Sequence, residues 1–218
     1  MEIDVFSDPI CPWCFIGKRR LSKALEMRPD NQVRVKWRAF QLNPEMPHEG
    51  MNRAAYLQAK FGGEDNAARV YDNIAAVGKS VGIDFRFDLI QRTPNTLDAH
   101  RLIRYFQATN HPDTNAFVTR LFEAYFLEGL DIGDVSTLVQ LAGSFDVTKA
   151  EVLDLLASDQ FRQEVVDEDV LARRIGINGV PCFIVDGQYA LSGAQEPEAF
   201  MPLFDLAVSG TTASTALS

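Results

Sequence analysis

The feature that most constrains this chain is a pair of cysteines three positions apart, Cys11-Pro12-Trp13-Cys14. The alternating stretch from Glu2 to Phe6 reads as a short strand before it, and Ser7-Asp8-Pro9 breaks that strand. An amphipathic run carrying Ile16, Leu21, Ala24 and Leu25 follows. Pro12 suits the first position of a helix, where its missing N–H leaves no bond unmade. The spacing then puts both thiols on one helical face. Cys11 stands at the helix terminus, where orphan N–H groups and the positive dipole end favour an anion. A thiolate is the form that attacks a disulfide. Cys14 lies one turn inside, on the stripe of Leu21 and Leu25, and is expected to be the more buried, resolving thiol. Trp13 either packs or offers an apolar patch to a partner disulfide.

The competing reading of such a pair is half a zinc site. Zinc takes four ligands, and the remaining inventory is Cys182, His48, His100 and His111, with no second C-x-x-C and no H-x₃-H. Redox chemistry without a metal is the expectation. Three cysteines in all are too few for a secreted disulfide scaffold.

The rest of the chain brackets a helical block with strand signals. Arg28-Pro29-Asp30-Asn31 should end the first helix, and Val33 to Phe40 alternates as a second strand. From about 52 to 175 the pattern is mainly helical, with helices expected near 52–61, 66–81, 95–108, 114–127, 134–143, 148–157 and 159–175. Asn95, Asp134 and Thr148 are candidate N-caps. Strand signals return at Cys182 to Asp186, Asp186-Gly187 is a hairpin turn, and Tyr189 to Leu191 should pair back. A last helix is expected over 197–208, with the small, polar tail from Ser209 to Ser218 frayed or docked late. The order is βαβ, helical block, ββα. Two strands at each end cannot make a core alone, so one sheet built from both ends is expected, residues 1–48 and 176–218 forming one domain and 49–175 an inserted helical one.

The formal net charge is −9, and the basic clusters Lys18-Arg19-Arg20 and Arg173-Arg174 are too short for a nucleic-acid surface. The start of the chain lacks the basic, apolar and small-residue segments of a signal peptide, and no apolar run could span a bilayer. The expectation is a cytoplasmic protein with no nucleic-acid or membrane partner.

The chain resembles the DsbA-like branch of the thioredoxin superfamily, and within it the cytosolic FrnE-like proteins. The resemblance rests on Phe6-Ser7-Asp8-Pro9-Ile10-Cys11-Pro12-Trp13-Cys14 with Ile16-Gly17-Lys18-Arg19, on Phe40-Gln41-Leu42-Asn43-Pro44, on Pro94-Asn95-Thr96-Leu97-Asp98-Ala99-His100-Arg101, on Gly179-Val180-Pro181 and on Ser192-Gly193-Ala194-Gln195. It implies an α/β, thioredoxin-like fold with an all-helical insertion domain. It implies Cys11 as nucleophile, Cys14 as resolving thiol, Pro181 in cis, and Val180 offering its backbone to an extended substrate. The implied activity is disulfide oxidation or isomerisation, on protein or small-molecule disulfides and thiols, with no bound cofactor and glutathione as a redox partner. Relatives in the same branch are glutathione-dependent, the hydroxychromene-carboxylate isomerases and kappa-class glutathione transferases, and they supply the alternative reading. They typically carry serine where this chain has Cys11, which favours redox chemistry here. A homodimer is compatible with the resemblance, although no sequence feature requires one. Two departures stand out: no cysteine pair follows Cys182, and Cys182 itself occupies the position after Pro181.

Other candidates carry bland readings beside functional ones. Cys182 is expected to be a small core residue, with a third redox thiol as the sharper reading. His100, one turn from Leu97, is first a core histidine and second a group near the cysteines. Asn95 is first a cap. The resemblance makes both worth placing at the cleft. Gly193, Ala194 and Gln195 precede the last helix and could offer free N–H groups to a carboxylate, with Ser192 or Gln195 capping that helix as the first, bland reading. Phe106, Phe117, Phe122 and Phe126 recur at helical spacing and should be core.

Overall fold

The computed structural model describes residues 1–29 and 32–215. Strand β1 (Glu2–Ser7) and strand β2 (Arg34–Ala39) run parallel, with Ile3 beside Val35 and Val5 beside Trp37. Helix α1 (Pro12–Glu26) makes the crossover, with Cys11 as its N-cap and Pro12 as its first residue. Asp30 and Asn31, expected to close this helix with Arg28-Pro29, lie outside the described residues.

The inserted block contains β3 (Met51–Asn52), α2 (Arg53–Phe61), α3 (Glu64–Ser80), β4 (Arg92–Thr93), α4 (Leu97–Ala108), α5 (Thr114–Phe126), α6 (Val135–Gly143), α7 (Lys149–Ala157) and α8 (Arg162–Arg174). Each expected helix is present within a few residues of its expected bounds. Asp134 caps α6 through the Thr137 N–H, and Thr148 forms a capping box with Glu151 on α7. The β3–β4 ladder was not expected, because two residues per strand leave no periodic signal.

Strands β5 (Cys182–Val185) and β6 (Tyr189–Ser192) complete a four-stranded sheet in the order β2-β1-β5-β6. β5 runs antiparallel to β1, setting Phe183 beside Val5 and Cys182 beside Phe6. Asp186 and Gly187 both take positive φ, and Gln188 N–H closes the turn on the Val185 carbonyl at 3.0 Å. A 3₁₀ turn over Pro197–Phe200 leads into α9 (Met201–Thr215). The frayed tail expected from Ser209 is therefore corrected: the helical backbone continues to Thr215. No proline stops it, and a lone Gly210 costs only about 1 kcal/mol against alanine.

The sheet separates two apolar layers. On one face Ile3, Val5, Phe183 and Val185 meet Cys14, Phe15 and Ile16 of α1, and that cluster runs on without a break into Phe106, Phe117, Phe122 and Phe126. Phe15 stacks on Phe122 at 5.2 Å and meets Phe85 edge-on at 6.0 Å. Fully burying such a ring is worth about 1.5–3 kcal/mol, so Phe15 ties α1 to the insertion. On the other face Phe6, Phe40, Ala172, Ile177 and Cys182 form a smaller cluster beside α8.

Candidate active site

The loop from Asp8 to Cys11 is closed by the Cys11 N–H on the Asp8 carbonyl at 2.9 Å. Cys11 keeps an extended backbone (φ −93°, ψ 113°), and its carbonyl takes the first helical bonds, from Cys14 N–H at 3.0 Å and Phe15 N–H at 3.3 Å. Its sulfur therefore sits at the start of α1. The Val180–Pro181 bond is cis, and the Cys11 thiol donates to the Val180 carbonyl at 3.5 Å. All three cysteines are free thiols.

Cys14 is 1% exposed and Cys11 4%. The Cys14 thiol is hydrogen-bonded to the Cys11 sulfur, and its sulfur accepts from the Asp8 N–H and the Ser7 hydroxyl. Burial pushes the Cys14 thiol well up, and the neighbouring Cys11 sulfur adds to the effect. Cys182 also rises through burial, with Ser192 opposing. Its side chain belongs to the cluster on the opposite face of the sheet from Cys14, because successive strand residues alternate faces.

Beneath the loop lies a polar group that sequence reading missed. Asp8, read only as part of a strand breaker, is wholly buried. Its carboxylate accepts the Leu42 N–H at 2.7 Å and the Ile10 N–H at 3.3 Å, with the Thr96 hydroxyl as a third partner. Desolvation outweighs these bonds and raises its pKa from 3.8 to about 7. His100 is enclosed beside it, Nε2 at 3.9 Å from Asp8 Oδ1, and its ring is bonded to the Phe40 carbonyl. Burial lowers its pKa from 6.5 to about 4.

The other candidates fall around this centre. Trp13 and Val180 are half-buried beside the thiols. Asn95 accepts the Leu97 N–H at 2.8 Å and donates to the Met46 carbonyl at 2.6 Å, so both ends of its amide are used in holding the chain. His100 is behind the loop rather than on a surface that a substrate would touch. Gly193, Ala194 and Gln195 do not open a helix. Gly193 N–H bonds the Pro181 carbonyl at 2.8 Å, Gln195 N–H bonds the Gly193 carbonyl at 2.9 Å, and Arg20 of α1 holds the Ala194 carbonyl. Two of the three amides expected to be free are thus engaged, and the segment ties the proline corner to α1. A groove of about 630 Å³ runs beside that corner, lined by Ile177, Val180, Pro181, Ile184 and Ala190. Among the described residues no three Cys, His, Asp or Glu side chains converge as metal ligands, and no helix is long and apolar enough to cross a membrane.

Known proteins resemble this chain along nearly its whole length. A probable DsbA oxidoreductase from Streptomyces coelicolor is 30% identical, with a TM-score of 0.84 over 96% of this chain and 90% of that one. The uncharacterized YwbO protein of Bacillus subtilis (strain 168) is 25% identical over 203 residues, 92% of this chain and 94% of its own. The fold is shared with the cytosolic disulfide reductase DsbM from Pseudomonas aeruginosa, solved with GSH, at 16% identity and a TM-score of 0.69 over 96% of this chain and all of that one (100%). Residues 2–204 match the model of the DSBA-like thioredoxin domain, and the chain belongs to that family of thiol–disulfide oxidoreductases.

Proposed function

We propose that this chain exchanges disulfides with protein or small-molecule partners through Cys11 and Cys14. The observation that carries the reading is the convergence on the Cys11 sulfur of a helix start, the Cys14 sulfur and the Val180 carbonyl. In the reducing direction the Cys11 thiolate attacks one sulfur of a substrate disulfide. That S–S bond breaks, a mixed disulfide forms on Cys11, and the other sulfur leaves as a thiolate and takes a proton. Cys14 then loses its proton and attacks the Cys11 sulfur, and the second substrate thiol leaves. Two electrons have passed to the substrate, and an 11–14 disulfide remains. Two glutathione molecules restore the dithiol and become one glutathione disulfide. Oxidation of a client is the same sequence reversed, and isomerisation returns a client thiol to the mixed disulfide before Cys14 acts.

Binding follows from the same corner. An extended client pairs with the Val180 backbone, its apolar side chains reach Trp13 and the adjoining groove, and Pro181 shapes the approach. Gly193 holds the Pro181 carbonyl, Ala194 and Gln195 fix that segment through Arg20 and the Gly193 carbonyl, His100 backs the loop beside Asp8, and Asn95 ties Met46 to the start of α4. The cytoplasm is the proposed setting, with the dithiol as resting state and no resident cofactor.

Dithiothreitol-driven reduction of insulin tests the reading. Cys11→Ser should abolish it, and Cys14→Ser should accumulate a mixed disulfide with insulin or glutathione. A Cys11→Ser protein as active as the parent defeats the proposal. Full turnover in Cys14→Ser with an absolute need for glutathione replaces it with the glutathione-dependent isomerase or transferase reading.

A further inference from the structure

Away from the cysteine loop, α2, α3 and the segment 85–91 enclose a groove of about 640 Å³, a volume suited to a small organic molecule. Its apolar wall includes Leu57, Phe85 and Phe87, and Tyr71 stacks on Phe87 with centroids 4.4 Å apart. One cation, Arg53, lines the same groove. It is the first residue of α2, where the positive end of the helix dipole opposes a basic side chain.

Arg53 has no carboxylate within ion-pair distance among the described residues. Its partners are hydroxyls: Nη1 donates to Thr93 Oγ1 at 3.0 Å and to Tyr125 Oη at 3.5 Å, and Nη2 donates to Tyr71 Oη at 2.7 Å. Burial raises the pKa of both tyrosines, so neither supplies a negative charge. A guanidinium has five N–H donors. These bonds use both on Nη1 and one on Nη2. The Nε–H and one Nη2–H remain as donors for an anion.

We propose that this groove binds a monocarboxylate with a flat apolar body, its anion on the free N–H groups of Arg53 and its body along the apolar wall that includes Leu57 and the stacked Tyr71, Phe87 and Phe85. The charge is limited to one by two acids that also line the groove, Asp72 and Asp88. Asp88 is neutralised by Arg86 at 2.7 Å, whereas Asp72 is exposed and unpaired among the described residues.

Benzoate, benzamide and inorganic phosphate titrated into the ¹⁵N-labelled full chain test this. Benzoate should give saturable shifts at the amides of Ala54, Tyr71 and Phe87, and benzamide should bind at least about tenfold more weakly, the loss expected when a charge-assisted pair is removed. Phosphate should not saturate. Arg53→Met should abolish benzoate binding. Should that variant fold poorly, exposed Asp72→Asn remains, and it should tighten benzoate by about threefold by removing a partly screened like charge. Equal binding of benzamide, equal binding of phosphate, benzoate shifts that map elsewhere, or weaker binding in Asp72→Asn each overturns the proposal.

Discussion

His100 Nε2 stands 3.9 Å from Asp8 Oδ1, inside the range of an ion pair, yet the contact is one between neutral groups over a wide pH window. Burial keeps the acid protonated up to about pH 7 and the imidazole uncharged down to about pH 4. In water the same two side chains at pH 5 would be a carboxylate and an imidazolium. Folding moves one proton from the histidine to the aspartic acid instead of burying two charges, whose desolvation would cost more than their attraction returns.

This sets the pH dependence of stability. An acid whose pKa rises on folding loses stability as pH climbs from its unfolded value, 3.8, to about 7. A base whose pKa falls loses stability as pH drops from 6.5 towards 4. Between about pH 4 and 6.5 the two contributions cancel, because folded and unfolded states each hold one proton on the pair. Urea unfolding from pH 4.5 to 6.5 should therefore be nearly flat for this pair in the parent protein. His100→Gln should lose stability with rising pH and Asp8→Asn should gain it, each by up to about 1.4 kcal/mol per pH unit. Parallel slopes in the two variants would show that the pair does not share a proton in this way.

Gly17 links α1 to the proline corner. A Cβ there would lie 2.7 Å from Pro181 Cγ and 3.1 Å from Phe183 Cζ. Within a helix, Gly→Ala ordinarily gains about 0.8–1 kcal/mol, but overpacking costs about 1–3 kcal/mol. Gly17→Ala should lose about 1–2 kcal/mol in urea unfolding, with slower insulin reduction because Pro181 is pushed from Cys11. A variant more stable than the parent, with unchanged rate, would mean that Pro181 moves aside at no cost.

Burial holds both Cys14 and Cys182 as thiols, and the thiolate is the form that alkylates. Brief iodoacetamide treatment of the reduced native protein at pH 7.5 should give at most one adduct, on Cys11, and three in urea. Peptide mapping that finds Cys182 labelled first would place that thiol in open contact with solvent.

The dithiol was legible because a strand, a breaker and a proline-led helix fix its surroundings within a dozen residues. The single sheet was legible because neither end has strands enough for a core. Asp8 was not, since what buries it is distant: the Leu42 N–H and the Thr96 hydroxyl arrive from elements 34 and 88 positions away. The Gly193 to Gln195 segment left capping and open amides as alternatives, because a small-residue stretch before a helix is compatible with both. The tertiary bonds to Pro181 and Arg20 that consume that segment leave no local mark.

Arg101 was unreadable for the same reason, and it carries the largest predicted loss. It is a wholly buried guanidinium on α4. It pairs with Asp98 at 2.8 Å and donates to the carbonyls of Leu155 at 2.5 Å, Ser158 at 2.6 Å and Gln160 at 2.9 Å. These carbonyls belong to the end of α7 and the turn after it, where helix acceptors lack a full set of intrahelical donors; that of Leu155 also accepts from the Ser158 N–H at 3.2 Å and the Ser158 hydroxyl at 2.8 Å. Arg101→Met should cost about 3–5 kcal/mol, since it leaves Asp98 buried without its cation as well as the carbonyls unmet. Arg101→Met with Asp98→Asn should recover part of that loss, because the uncompensated charge is gone while the carbonyls stay bare. Thermal unfolding of the three variants, with amide exchange over 155–160, separates the two contributions. If the double variant is no better than the single one, the arginine's worth lies wholly in closing α7.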